Sequence, residues 1–153
     1  MQEMENIVRE TIEKLGCAYD SVEVIEGPAH PVVLVTTSDS KALIGTKGET
    51  LRALNFLVQK MAEKRGLEAR FMVDVNRYQL RRIEELQNQA RILAERARVF
   101  QHDVEMPPLS AYERMIVHST LSEDPDLITE SSGEGKFRRV VIKWKSGNPQ
   151  AGA

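Results

Sequence analysis

Ile7, Val8, Thr11, Ile12 and Leu15 recur at steps of three and four, which predicts a helix over residues 3–15 with Gly16 as its stop. The pattern then changes to period two. "SVEVIEG" alternates Val22 and Val24, "PVVLVTT" is a β-branched run, and "GPAHP" is the turn between these two strands, confined to an edge by Pro28 and Pro31. Helical spacing returns with Leu51, Leu54, Leu57, Val58 and Met61, which form an apolar stripe on a helix running to about Lys64, ended by Gly66. "RFMVDV" places Phe71, Val73 and Val75 on one face of a third strand. Helix, strand, strand, helix, strand is enough to close one small α+β domain near Val75.

From Asn76 to His102 the apolar residues Leu80, Ile83, Ala90, Leu93, Ala97 and Phe100 return at steps of three, four or seven. This predicts a helix of about seven turns, with arginines and glutamates outside and Asn76 as its cap. A helix of that length joins two subdomains without a floppy linker. "VEMPPL" is a short edge strand, because two prolines exclude it from a sheet centre. "SAYERMIVHSTL" is a helix with Ser110 as cap and Glu113 at the capping-box position. "DLITES" and "FRRVVIKW" are strands joined by "SGEG", and residues 146–153 are an expected disordered tail. The fold class expected is α+β, in two small domains.

Composition narrows this picture. The chain has 153 residues, 41% hydrophobic and 29% charged, as expected of a globular protein. No apolar run approaches the ~20 residues that span a bilayer, and the acidic amphipathic start is not a secretory signal. With one cysteine, Cys17, there is no internal disulfide, and a reducing cytoplasm is expected. The net charge of −2 leans against a nucleic-acid binder, but the charge is uneven. Residues 1–26 carry seven acids against Arg9 and Lys14, whereas "KFRRVVIKWK" carries five cations and no anion.

Two constellations carry chemistry. In "KALIGTKGETLRAL", Gly45 and Gly48 follow an apolar run and precede a helix. Glycines there can take positive φ, and a helix N-terminus favours an anion. Lys47 projects from the loop tip, with Lys41 and Arg52 near it in sequence. The alternative is a tight turn that needs glycine for geometry alone. The spacing fits neither a nucleotide P-loop nor a dinucleotide fingerprint, and it does fit a loop that clamps a polynucleotide backbone. With the strands around it, "ALIGTKGETLRALNFLVQ" resembles a KH domain of the type II order, with Ile44 part of the resemblance. That implies an apolar groove for bases between the loop-bearing helix and a strand.

In "YERMIVHSTL", Arg114 and His118 stand four apart on one helix face. No second histidine or cysteine lies near, so no metal site is expected. A solvated helix face is the plain alternative. "PLSAYERMIVHSTL" followed by "ITESSGEGKFRRVVIKW" resembles the R-3-H domain, whose arginine and histidine are matched by Arg114 and His118. That domain binds single-stranded nucleic acid. Met115 stands where the family carries a further basic residue. The last strand puts Arg139 and Lys143 on one face, as phosphate-contact candidates, and Arg138, Val140, Ile142 and Trp144 on the other. Trp144 is either a base-stacking or a core residue. His118, partly protonated near neutrality, is expected to strengthen binding on acidification.

The tandem resembles the bacterial Jag family (SpoIIIJ-associated, KhpB/EloR-like proteins) over about residues 1–145. The resemblance implies a type II KH domain at 1–76 and an R-3-H domain at 77–145, entered by a long helix at 77–102. Family members often carry a further N-terminal Jag domain and linker; both are expected to be absent here. The resemblance also implies a cytoplasmic regulator that binds single-stranded RNA, or single-stranded DNA, and is linked to cell elongation and division. A small KH-domain protein is an implied partner. The nucleic-acid-binding residues expected are Ile44, Gly45, Thr46, Lys47, Gly48, Arg52, Arg114, His118, Arg139 and Lys143. No cofactor, metal or membrane insertion is expected. Without a metal-binding carboxylate cluster, Walker motif or nucleophile–base pair, no enzyme is expected, and His102–Asp103 offers no catalytic arrangement. The rival reading is a protein-interaction adaptor, using the acidic first helix and the outer face of residues 76–102.

Overall fold

The computed structural model describes residues 1–67 and 70–145, so the tail expected at 146–153 lies outside the described residues. The chain forms two compact α+β units, Met1–Arg81 and Arg82–Ala153.

In the first unit, α1 (Gln2–Lys14) buries Met4, Ile7, Val8, Thr11 and Ile12, the stripe its spacing predicts. Thr11 satisfies its hydroxyl on the Ile7 carbonyl at 2.7 Å. The helix closes with Gly16 N–H on the Glu13 carbonyl and Cys17 N–H on the Ile12 carbonyl, which satisfies two of the carbonyls left over at a helix end. Strands β1 (Ser21–Ile25) and β2 (Val32–Thr36) pair antiparallel, and β3 (Met72–Val75) adds parallel to β2. The central strand β2 is therefore buried from Val32 to Val35, and its β-branched run reflects that. A short helix α2 (Ser40–Ile44), a 3-10 turn (Thr46–Gly48) and α3 (Glu49–Lys64) follow β2. Leu51, Leu54, Val58 and Ala62 of α3 join Val33, Val35, Val73 and Val75 in one core.

Helix α4 (Tyr78–Phe100) starts one residue later and ends two residues earlier than the expected 77–102, and Asn76 is not its cap. Asn76 has φ +50° and Arg77 φ +60°, outside the extended geometry a capping residue needs. The Asn76 amide instead clamps the backbone of Thr37, accepting from its N–H at 3.0 Å and donating to its carbonyl at 2.8 Å. Asp74, fully buried on β3, caps the helix. Its carboxylate accepts from the N–H groups of Gln79 (2.9 Å), Leu80 (3.0 Å) and Val75 (2.8 Å). An anion there also complements the positive end of the helix.

In the second unit, α4 is tied to α5 (Ala111–Leu121) near both ends. Arg82 faces Glu113 at 3.8 Å, and Arg98 pairs with Asp124, just past α5. Ser110 caps α5 through the capping box with Glu113 that the sequence predicts. Strands β4 (Val104–Glu105), β5 (Leu127–Ser132) and β6 (Arg139–Trp144) form an antiparallel sheet in the order β4-β6-β5. The proline-limited β4 therefore lies at an edge. A 3-10 turn at Gly135–Phe137 lies in the β5–β6 connection.

Candidate nucleic-acid interface

Both loop glycines are required by the chain's own packing. Gly45 has φ +71°, and a Cβ there would lie 2.2 Å from Thr50 Oγ1. Gly48 has φ +78°, and a Cβ there would lie 3.0 Å from Cε1 of Tyr78. The N–H of Gly45 is spent on the Lys41 carbonyl at 3.0 Å, and that of Gly48 points to the Gly45 carbonyl at 3.4 Å. The surface offered outward is Thr46 and Lys47, both exposed. Lys47 holds φ +52°, a left-handed conformation that costs a non-glycine residue about 1–2 kcal/mol. Arg52, one turn into α3, reaches the Lys47 carbonyl at 3.5 Å. Ile44 is half-buried against the core behind the loop.

In the second unit the candidate residues divide between the two faces of the sheet. His118 lies on the face that packs on α5. Its Nδ1 is 2.6 Å from Thr129 Oγ1, and its Nε2 is 2.9 Å from Ser131 Oγ. Ile142 and Val140, cross-strand partners of those two residues, are fully buried. Desolvation, followed by the nearby Arg114 cation, pushes the His118 pKa down from its ordinary value. Partial protonation near neutrality is thus corrected toward a neutral imidazole. Arg114 donates to the Leu109 carbonyl at 2.8 Å. Trp144 is half-buried and, by the alternation of β6, shares the face of Val140 and Ile142.

Arg139 and Lys143 occupy the other face, and both are paired. Arg139 donates to Glu105 through two bonds, at 3.0 and 3.1 Å, and Lys143 meets Glu130 at 2.7 Å. The hydrogen bonds from Arg139 hold the Glu105 carboxyl below the ordinary carboxylate value. The hydrogen bond that Lys143 donates to Glu130 raises the ammonium above its ordinary value. Met115, which stands where the R-3-H family carries a further basic residue, is exposed.

Sequence reasoning missed Tyr78, Thr50, Thr129, Ser131, Glu105 and Glu130. The alternation of "ITES" does put Thr129 and Ser131 on one strand face, which could have suggested partners for a histidine. The carboxylate pairs depend on sheet register, which no local pattern states. His102 points Nδ1 at the Asp103 carbonyl (2.9 Å) and stacks on Phe100, with ring centres 6.0 Å apart. Among the described residues no group of three or more His, Cys, Asp or Glu is placed to hold a metal, and no helix is long and apolar enough to cross a membrane.

A helix-backed antiparallel sheet with Arg114 and His118 one turn apart is the R-3-H class of domain, and the R-3-H domain family matches residues 84–143. The chain is 34% identical over 139 residues to the RNA-binding protein KhpB of Bacillus subtilis, covering 89% of the chain and 67% of that relative. It is 32% identical over 143 residues to the RNA-binding protein KhpB of Clostridium symbiosum, covering 92% of the chain and 64% of that relative. With KhpB of Lactiplantibacillus plantarum the figures are 27% over 132 residues, 86% and 41%. The chain belongs to the KhpB (Jag) family, and it spans somewhat less than two thirds of the length of the Clostridium symbiosum relative.

Proposed function

We propose that this chain is a non-enzymatic, cytoplasmic binder of single-stranded RNA with a regulatory role. Residues 1–76 act as a type II KH domain and residues 77–145 as an R-3-H domain. The observation that carries the reading is Lys47, exposed at a loop tip before α3 and held at positive φ. Strain of this kind gathers at ligand clamps. Thr46 and Lys47 take a sugar-phosphate, Gly45 and Gly48 fix the turn, Arg52 adds a cation, and Ile44 backs an apolar groove for bases. Arg114 and His118 form the second contact. Arg139 and Lys143 reach phosphates by exchanging their carboxylate partners for them. The name "RNA-binding protein" borne by the relatives supports the same ligand. A link to cell elongation and division, and pairing with a small KH-domain protein, belong to this proposal through family resemblance.

The test is titration of labelled single-stranded RNA, and of DNA of the same sequence, at two salt concentrations. Affinity falls with salt, because each phosphate contact releases counterions. Replacing Thr46 and Lys47 by Asp weakens binding about tenfold or more. Unchanged affinity would remove the loop from the interface.

A second reading, the protein-interaction adaptor, is favoured by the exposed Phe56 and Leu57 on α3. Partners that stay bound after nuclease treatment, together with weak RNA affinity, would favour it.

A further inference from the structure

The hairpin between β5 and β6 carries an aromatic ring close to where Arg114 and His118 make their contacts. Arg114 donates to the Leu109 carbonyl, and the Leu109 N–H donates to the Arg138 carbonyl at 3.0 Å. The residue before Arg138 is Phe137, on the 3-10 turn, with 63% of its surface exposed. His118 reaches the same end of the sheet through Ser131, whose cross-strand partner Val140 lies three residues beyond Phe137. The Lys136 ammonium lies 5.2 Å from the Phe137 ring centre, so a cation already occupies the π system. Arg138 spends one N–H on the Gly133 carbonyl at 2.8 Å, from a group with five donors. Glu134 is the one carboxylate of the 133–138 turn.

An exposed aromatic ring flanked by cations on flexible stems suits an unstacked base followed by its phosphates. The ring offers a π face to any base, and the cations track the backbone. It suits a neutral apolar partner less, because burying Lys136 and Arg138 would leave charges unpaired. We infer that Phe137 is a stacking platform for one base of a single-stranded polynucleotide, with Lys136, Arg138 and Arg114 taking the adjoining phosphates. This rests on the nucleic-acid reading above and assigns it a contact outside both named motifs. Lys136 yields the ring face to the base and moves to the phosphate.

The experiment titrates the full chain with fluorescein-labelled oligouridylate and with its abasic counterpart, at two salt concentrations. Phe137→Ala weakens oligouridylate binding about five- to hundred-fold with the salt slope unchanged, and leaves affinity for the abasic strand as in the parent. Lys136→Gln lowers the slope by about 0.7. Phe137→Trp retains affinity, and in a Trp144→Phe background its fluorescence is quenched on binding. Matching thermal melts establish that Phe137→Ala is folded. If Phe137→Ala binds oligouridylate like the parent while the Thr46/Lys47 substitution weakens binding, the platform is overturned and the RNA reading stands. Equal losses on both strands overturn stacking in favour of a structural role. If the parent binds neither strand, the RNA reading falls and the platform with it.

Discussion

The ring of Tyr78 stands against Gly48, occupying the space a side chain there would need. Gly45 meets Thr50 in the same way, more tightly. The loop is therefore pressed from two sides, and the glycines serve its shape before they serve any ligand.

Gly48→Ala should cost about 1–2 kcal/mol from positive φ, plus what the Tyr78 ring takes to move. Gly45→Ala should cost more, because the Thr50 backbone nitrogen would also lie within 3.0 Å of the new Cβ. Adding Thr50→Ala should recover only part of that loss, since the Thr50 Cβ remains 2.8 Å away. Urea unfolding of the parent and these three variants measures this, and full rescue would place the strain in the hydroxyl alone.

Asp74 supplies the second stability prediction. Asp74→Ala removes the acceptor for the Gln79 and Leu80 N–H groups at the start of α4 and for the Val75 N–H on β3, and should cost about 2–3 kcal/mol. Asn76→Ala breaks the clamp on Thr37 and should cost about 1–2 kcal/mol. Denaturation midpoints that rank Asn76 above Asp74 would restore Asn76 as the more important group at this helix start.

Much of this architecture was legible because local rules and burial agree. The stripe on α1, the capping box at Ser110 and the buried run of β2 are periodic or short-range signals. Asp74 was hidden for the opposite reason. Alternation assigns it to the face away from Phe71, Val73 and Val75, and only tertiary structure shows that face covered by the start of α4. The candidate site divides likewise. Lys47, Arg114 and His118 follow from motif spacing. The pairing of Arg139 with Glu105, 34 residues away, follows from the register of β4 on β6.

Those pairs make a prediction of their own. Glu105→Gln and Glu130→Gln together remove the carboxylates that occupy Arg139 and Lys143. Affinity for single-stranded RNA should rise and its salt dependence steepen, because two more cations are free for phosphate. Unchanged slope and affinity would exclude that face of the sheet from the interface.

His118 carries the pH dependence. Burial, and secondarily Arg114, depress its pKa below the ordinary 6.5. In the window between the unfolded and folded values, the unfolded chain binds more protons than the folded one. The stability this group contributes is therefore complete above the unfolded pKa and is lost as pH falls through the folded pKa. The proton is unwelcome because burial penalises the charged ring and the nearby Arg114 is positive. Arg114→Gln should raise the His118 midpoint without restoring the ordinary value, since desolvation is the larger cause. A phosphate beside the ring should raise it further, so RNA binding should strengthen on acidification only between the midpoints of the free and bound protein. NMR titration of the His118 ring with and without single-stranded RNA reads both midpoints. A midpoint unmoved by RNA would take His118 out of phosphate contact and leave it as the residue that fastens α5 to β5.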